Sequence, residues 1–216
     1  QGMVDTFLKG TEVVHQAFLP KGYLGALEDT PYQLDVEKAK SLLAESGVKD
    51  PVVTLDVRNA ADRMDMAQSI QNTFGQVGIK VELNVGEGAE QLKRFRARQQ
   101  DATLQSWGPD YPDPHTNAST FAMNPDNSDA ANNVGFLAWR TAYDPGPLTA
   151  QTEAAVMERD PEKRKAMYAD IQTVHRETSP FIVMFQIGYQ TGLRSNVQNF
   201  YTGGATDSAA YWLLTK

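Results

Sequence analysis

Apolar residues in the segment 52–107 switch repeatedly between strand spacing and helix spacing, and this alternation constrains the fold more than any other feature. They occupy every second position of residues 79–85, which is the pattern of a half-buried strand. Helical patterns lie before and after it, and the resulting order is typical of an α/β sheet with helical crossovers. The predicted elements are a strand over 52–57, a helix over 62–77, a strand over 79–85, a helix over 90–99 and a strand over 102–107.

The residues that follow Trp107 are predicted to carry function. Ligands of open α/β sheets bind beyond the carboxyl ends of the strands, and Trp107 ends the last predicted strand. Residues 108–147 are rich in Gly, Pro, Asn and Asp, which predicts a long segment with little regular structure. Irregular segments of this length are uncommon in compact domains and are often functional.

Outside this region the pattern predicts further helices and one buried strand. Asp35 has the position of a helix N-cap and Gly47 that of a C-cap, so a helix is expected between them. Asp160 and Pro161 begin another helix, on which His175 is expected to be a partly buried packing residue. The other predicted elements are a helix over 1–10, an irregular segment over 11–34, a helix over 147–159, a buried strand over 181–187 and a turn at Gly203 and Gly204.

Composition and charge exclude several classes of protein. The chain has 216 residues and a net charge of −7, whereas general nucleic-acid binding requires a basic face. It contains no Cys, which excludes a disulfide scaffold, a thiol nucleophile and a Cys-based metal site. No apolar run is long enough to span a bilayer. The length is compatible with one large domain or two small ones.

Several segments together resemble one protein family in the order of their motifs. Residues 32–47 (YQLDVEKAKSLLAESG) resemble a helix of that family, and residues 78–83 (GIKVEL) resemble one of its strands. Residues 101–114 (DATLQSWGPDYPDP) resemble its Trp- and Asp-containing segment. Residues 160–172 (DPEKRKAMYADIQ) and 179–182 (SPFI) resemble its late helix and the strand after it. The family is that of periplasmic solute-binding proteins of the dipeptide-, oligopeptide- and nickel-binding type, family 5 of the ABC-importer receptors.

The resemblance implies an α/β fold, namely the C-terminal lobe of a type II periplasmic binding protein, with a mixed β-sheet flanked by helices. Residues 1–187 are then expected to form the ligand-binding lobe, and residues 188–216 a tail that returns toward a missing N-terminal lobe. The implied protein is periplasmic or otherwise extracytoplasmic, with a signal peptide before Gln1. It is expected to be a monomer that delivers a peptide-like or other small polar solute to an ABC permease. No cofactor, metal or nucleic acid is expected, and the chain is interpreted as a fragment.

Asp110 is the first candidate for ligand contact. In peptide-binding members of the family, an Asp at the matching position pairs with the α-amino group of the ligand. A buried ammonium requires a carboxylate partner, and charge-assisted hydrogen bonds are among the strongest. The alternative is an Asp that only forms a turn in a Pro-rich loop.

Trp107, Tyr111, Asn117 and Arg58 are the other candidate ligand-binding residues. Trp107 and Tyr111 are expected to line the pocket, with burial in the core as the alternative. Asn117 has an amide suited to a polar ligand, although Asn also favours turns. Arg58 follows the strand over 52–57, near the place where dipeptide-binding members hold the ligand carboxylate. The loop after that strand is shorter in this chain than in those members. The alternative is that Arg58 is a solvated surface residue.

Asp110, Asp113 and His115 also fit two competing hypotheses. Their oxygen and nitrogen atoms are suited to a metal ion, but three such residues in one short loop are weak evidence. Asp110 and Asp113 would alternatively serve as the acid and base of a hydrolase, although no nucleophile or further base accompanies them. The predicted function is therefore a binding module without catalytic residues. An interaction domain without a small ligand is a further alternative.

Overall fold

The computed structural model describes residues 1–202 and 209–216, and the chain divides into two compact units. Unit one contains residues 1–9 and 31–106, and unit two contains residues 10–30 and 107–216. The turn predicted at Gly203 and Gly204 lies outside the described residues.

Helices and strands alternate in unit one, whereas helices predominate in unit two. The helices are α1 (Gly2–Asp5), α2 (Val36–Ser46), α3 (Ala61–Gly75), α4 (Gly88–Arg96), α5 (His115–Ala122), α6 (Leu137–Arg140), α7 (Leu148–Met157) and α8 (Pro161–Thr178), with 3-10 turns at Asp129–Ala131 and Tyr211–Leu213. The strands are β1 (Glu12–Val14), β2 (Val52–Arg58), β3 (Lys80–Gly86), β4 (Ala102–Thr103) and β5 (Phe185–Ile187).

Unit one confirms the α/β alternation predicted from the spacing of apolar residues. Its strands form a parallel sheet in the order β3-β2-β4. Helix α3 connects β2 to β3 and packs on both, which buries Met66 and Ala67. Parallel strands require a crossover of this kind, because the chain must return to the opposite end of the sheet before the next strand begins, and a tight turn cannot do this. The core on the sheet includes Leu55, Val57 and Val81.

Both predicted caps of α2 are confirmed. The Asp35 carboxylate accepts a hydrogen bond from the backbone N–H of Lys38 at 2.9 Å, which satisfies one of the free donors of the first turn. Gly47 ends the helix with a φ of 71°, a left-handed conformation that Gly adopts without steric penalty.

The strand predicted over 102–107 is wrong beyond its first residues. The last hydrogen bond to the sheet is donated by the Leu104 backbone to the Asp56 carbonyl at 3.0 Å. Ser106 is exposed, and its hydroxyl accepts a hydrogen bond from Arg63 at 3.2 Å. Polar residues after Leu104 leave no apolar face to bury against the sheet, so the strand ends there.

Residues 108–147 contain more regular structure than the sequence pattern predicts. Helices α5 and α6 lie in this segment, and α5 packs against α6, α7 and α8. The Thr, Asn and Ser residues of α5 are weak helix formers, so local propensity gives little helical signal. Burial of Ala118, Phe121 and Ala122 against the neighbouring helices stabilises α5 instead.

The helices predicted over 147–159 and from Asp160 onward are confirmed as α7 and α8. The Asp160 side chain accepts hydrogen bonds from the backbone N–H groups of Glu162 and Lys163, both at 3.0 Å. His175 lies on the inner face of α8 and is buried, which confirms its packing role.

The buried strand predicted over 181–187 is shorter and more exposed than expected. Only Phe185–Ile187 are extended in a ladder, and they pair antiparallel with β1. Ile182 has 77% of its surface exposed. In the described chain, β1 and β5 form a sheet of their own, without the neighbours that would bury residues 181–184. The helix predicted over 1–10 is likewise limited to Gly2–Asp5.

Close backbone packing at Gly25 holds the segment 10–30 on α8. The buried Gln172 side chain donates to the Gly25 carbonyl at 2.6 Å and accepts from the Leu19 N–H at 3.3 Å. Gly25 has a φ of +80°, and a Cβ there would lie 2.6 Å from the Lys165 carbonyl oxygen. It would also lie 2.9 Å from the Cβ of Tyr168. Only Gly fits this position.

Gly25→Ala is expected to lower the free energy of unfolding of unit two by about 2 kcal/mol, because the new Cβ forces the segment off α8. Gly22 is the matched control, since it has a φ of +92° but nothing within 4 Å of a Cβ. Gly22→Ala is expected to cost about 1 kcal/mol from backbone strain alone. Urea unfolding followed by Trp fluorescence measures both, because Trp107, Trp139 and Trp212 all belong to unit two. Equal losses would contradict the packing argument.

Candidate functional site

Trp107 begins the loop that carries the predicted site, and it rests on an aromatic cluster of unit two. Its ring packs edge-on to the Phe121 ring, with the two centroids 6.5 Å apart. Phe121 in turn contacts the rings of Phe18, His175 and Phe181. Trp107 is 38% exposed, so its ring is anchored by packing on one side and is open to solvent on another.

Asp110 presents an exposed side chain from this loop. Its backbone N–H donates a hydrogen bond to the Thr116 hydroxyl at 3.1 Å, which ties the loop to α5. Within residues 1–202 and 209–216, its carboxylate has neither a hydrogen bond nor an ion pair. An unpaired carboxylate on a tethered main chain is suited to bind a cationic group.

Asp113 fixes the same loop to α8 through an ion pair with Arg164. The Nη1 and Nη2 atoms of Arg164 donate to the two carboxylate oxygens at 2.9 and 2.8 Å. Burial raises the pKa of Asp113, but the hydrogen bonds from Arg164 and from the His115 backbone outweigh it, and the pKa lies below its ordinary value. Asp113 is therefore an ionised structural residue near neutral pH. An ionised carboxylate paired with Arg164 cannot act as the proton-donating acid that the hydrolase hypothesis requires of Asp113.

Tyr111 lies beside Asp110 and lines an open groove of about 550 Å³ in unit two. The groove is bounded by the loop before α5, by the loop between α7 and α8, and by Leu24. Burial, and then the carboxylates of Asp113 and Asp110, raise the pKa of Tyr111. The phenol is therefore protonated at neutral pH and can donate a hydrogen bond.

Asn117 is placed in the core and not on the exposed face of the loop. It is 2% exposed, and its Nδ2 donates to the Phe18 carbonyl at 2.7 Å. This bond ties α5 to the segment 10–30. The structure therefore gives the Asn117 amide a positioning role behind the loop, in contrast to the direct ligand contact expected from the sequence.

Arg58 belongs to unit one, where it is the last residue of β2 and is exposed at the carboxyl end of the parallel sheet. Its side chain lies close to the start of α4. A Cβ added to Gly88 would be only 3.3 Å from the Cδ and Nε of Arg58. The glycine leaves room for that arrangement. Contact between Arg58 and a ligand stays a prediction.

The metal hypothesis for Asp110, Asp113 and His115 receives no support from the geometry. No group of three or more metal-ligating side chains with suitable positions occurs in residues 1–202 and 209–216.

Among the residues that the structure describes, none of the helices has the length and apolar character needed to cross a membrane.

Arg164 and Phe121 support the loop, but the sequence pattern predicts a functional role for neither of them. Arg164 is 51 positions from its partner Asp113, so no local spacing connects them. Phe121 lies in a segment whose composition indicates a loop. The one available signal is that Arg164 falls within residues 160–172, one of the segments that resemble the receptor family.

Curated relatives carry the names of peptide-binding proteins. Di/tripeptide-binding protein 4 of Pseudomonas aeruginosa is 28% identical over 184 residues, which cover 83% of this chain and 33% of that protein. The dipeptide-binding protein of Escherichia coli is 25% identical over 208 residues, which cover 92% of this chain and 37% of that protein. The chain thus spans 33–37% of the length of these relatives.

Solved structures share the fold of this chain. Helicobacter pylori DppA, a periplasmic binding protein in complex with the peptide STSA, matches with a TM-score of 0.77 at 20% identity, over 99% of this chain and 41% of DppA. HbpA2 of Haemophilus parasuis matches with a TM-score of 0.78 at 22% identity, over 99% of this chain and 42% of HbpA2. These likenesses confirm the predicted α/β fold of the periplasmic-binding-protein type.

The family assignment rests on the segment that contains unit one and the Asp110 loop. Residues 1–129 match the family described as bacterial extracellular solute-binding proteins, family 5 Middle. This match covers more than half of the 216 residues and includes three of the segments that suggested the resemblance. The chain belongs to the bacterial extracellular solute-binding proteins of family 5.

Proposed function

We propose that this chain is the C-terminal lobe of an extracytoplasmic receptor for an ABC importer, and that it binds the α-amino group of a short peptide through Asp110. The observation that carries the proposal is the exposed Asp110 carboxylate, which is unpaired among the described residues. The names of the curated relatives support a peptide as the solute.

Recognition of the peptide is proposed to rest on charge and on aromatic contact. The Asp110 carboxylate accepts hydrogen bonds from the ligand ammonium, and Trp107 and Tyr111 provide apolar surface beside it. Closure of a second lobe over the ligand removes water, which strengthens the ammonium–carboxylate interaction. No covalent bond forms or breaks in this scheme, so the residues bind and orient the solute without catalysis.

The tail over 188–216 is proposed to pack against that second lobe. Tyr189, Tyr211 and Trp212 are 73%, 69% and 81% exposed, respectively. Large exposed aromatic side chains in one segment are typical of a surface that is covered in the complete assembly. Their exposure therefore supports a partner surface for the tail. Residues 1–187 correspondingly remain our proposal for the ligand-binding lobe.

The remaining parts of the proposal follow from this role. The intact receptor acts as a monomer outside the cytoplasm, after removal of a signal peptide that precedes Gln1 in the complete protein. Its closed, loaded form docks on the membrane-spanning permease, which then accepts the solute. Membership of family 5 and the periplasmic relatives support this location.

The mass and location of the native protein test the two-lobed receptor. An antibody against this chain is used to probe the osmotic-shock fraction of the source cells. We expect a band in that fraction, at a mass well above the 23.9 kDa of this chain. A band at 23.9 kDa would remove the second lobe from the proposal, and a protein retained in the cytoplasm would remove the transport role.

A further inference from the structure

The groove beside Tyr111 has a chemical character opposite to that of Asp110. Asp110 offers a negative charge, whereas the charge without a partner in the groove is positive. We infer that the groove is a second binding site of unit two, for a small organic carboxylate with an apolar body. This inference does not depend on peptide binding at Asp110.

The carboxylates of the groove are already fully bonded. Asp113 accepts two hydrogen bonds from Arg164 and one from the backbone N–H of His115 at 2.8 Å. Glu158 accepts from the backbone N–H groups of Arg159 and Asp160 at 2.8 and 2.9 Å. It also forms an ion pair with Lys163 at 2.6 Å, and these contacts lower the pKa of Glu158 to about 2. Neither carboxylate is available to bind a cation.

Arg164 is as fully committed as the carboxylates it neighbours. Besides its bonds to Asp113, its Nε donates to the Ala155 carbonyl at 3.1 Å. Its guanidinium also lies over the Tyr168 ring, 5.1 Å from the ring centroid. Arg164 therefore shapes the wall of the groove and adds little capacity for a ligand.

Arg159 is the charged side chain of the groove that is left without a bonding partner among the described residues. Its backbone N–H is bonded to Glu158, but its guanidinium has no ion pair or hydrogen bond within residues 1–202 and 209–216. A guanidinium presents paired N–H donors in the plane that a carboxylate matches with two parallel hydrogen bonds. The protonated Tyr111 hydroxyl lines the same groove and supplies a further donor.

Apart from the His115 ring, the remaining wall of the groove is apolar. Leu24, Val156 and Pro161 line it, together with the ring of Tyr111. Gly25 holds the segment of Leu24 tightly on α8, so this wall is preformed. The volume of about 550 Å³ is in the range of small-molecule sites. A carboxylate attached to a small hydrocarbon or aromatic group satisfies both the cation and the apolar wall.

Benzoate and its neutral analogue benzamide are suitable probes, titrated into the whole 216-residue chain and followed by NMR. We expect benzoate to shift the Nε–Hε signal of Arg159 and the backbone signals of residues 158–161 in a saturable way, with a Kd in the millimolar range. Benzamide, which has the same ring but no charge, is expected to bind with at most a tenth of the affinity of benzoate.

Variants assign the effect to one side chain. Arg159→Gln is expected to weaken benzoate binding by about tenfold or more, and because Arg159 is exposed the variant should fold normally. Lys165→Gln is the matched control, since it removes one exposed positive charge from α8 outside the groove lining. Its affinity is expected to remain within about twofold. Equal shifts with benzamide, an unchanged Kd in Arg159→Gln, or no saturable shift with benzoate would each overturn the inference.

Discussion

Asp110→Asn is expected to weaken the binding of trialanine to the intact native protein by on the order of 100-fold. The substitution keeps the shape of the side chain but removes the charge that balances the peptide ammonium. Loss of one partner from a buried, hydrogen-bonded charge pair costs about 2–5 kcal/mol, and each 1.4 kcal/mol is a factor of ten. Isothermal titration calorimetry of the two proteins measures the difference.

Asp170→Asn provides the control for this comparison. Asp170 is an exposed residue of α8, so its replacement removes the same charge from the surface of unit two. We expect trialanine affinity in this variant to stay within about twofold of the unmodified protein. If Asp110→Asn also stays within that margin, Asp110 is only a turn residue of its loop.

Acid is expected to destabilise unit two strongly through His175. Its ring is packed among Phe18, Phe121, Phe181 and Tyr143, and burial lowers the pKa of His175 to about 4. The unfolded chain binds the proton near pH 6.5, whereas the folded chain does so only near pH 4. The folded state therefore loses stability as the pH falls through this window. The loss amounts to about 3 kcal/mol between the two values.

A His175→Phe variant isolates this contribution from the other titrating groups. Phe keeps an aromatic ring in the cluster but cannot bind a proton. His15 and His115 also have lowered pKa values, mainly through burial, and their effects are common to both proteins. Urea unfolding monitored by Trp fluorescence at pH 4 and pH 7 is expected to show a smaller acid loss in the variant, by about 3 kcal/mol. Parallel loss in the two proteins would contradict the account.

The sequence predicts unit one better than unit two, and the reason is the range of the interactions. The strands and helices of unit one follow local periodicity, and Asp35 and Gly47 end α2 through contacts within a few residues. Helix α5 depends instead on burial of Phe121 against distant helices, which no local pattern reveals. Strand β5 depends in the same way on pairing with β1, far away in the chain.

The residues of the candidate site also differ in whether local sequence predicts them. The loop with Trp107 and Asp110 could be predicted, because a strand end followed by a Pro- and Asp-rich segment is a local signal. The ion pair that fixes this loop joins Asp113 to Arg164 across the chain and could not be read from spacing. The burial of Asn117 is also a tertiary effect. The sequence predicts that its amide contacts the ligand, whereas in the structure the amide donates to the Phe18 carbonyl.

The central claim is that a free α-amino group of the ligand is bound by this lobe. The most direct measurement is a paired calorimetric titration of the intact native protein with trialanine and with N-acetyl-trialanine, which lacks the positive charge. We expect trialanine to bind and the acetylated peptide to bind at least about 100-fold more weakly, because Asp110 then has no cation to pair with. Equal affinity for the two peptides, or no binding of either, would contradict the account.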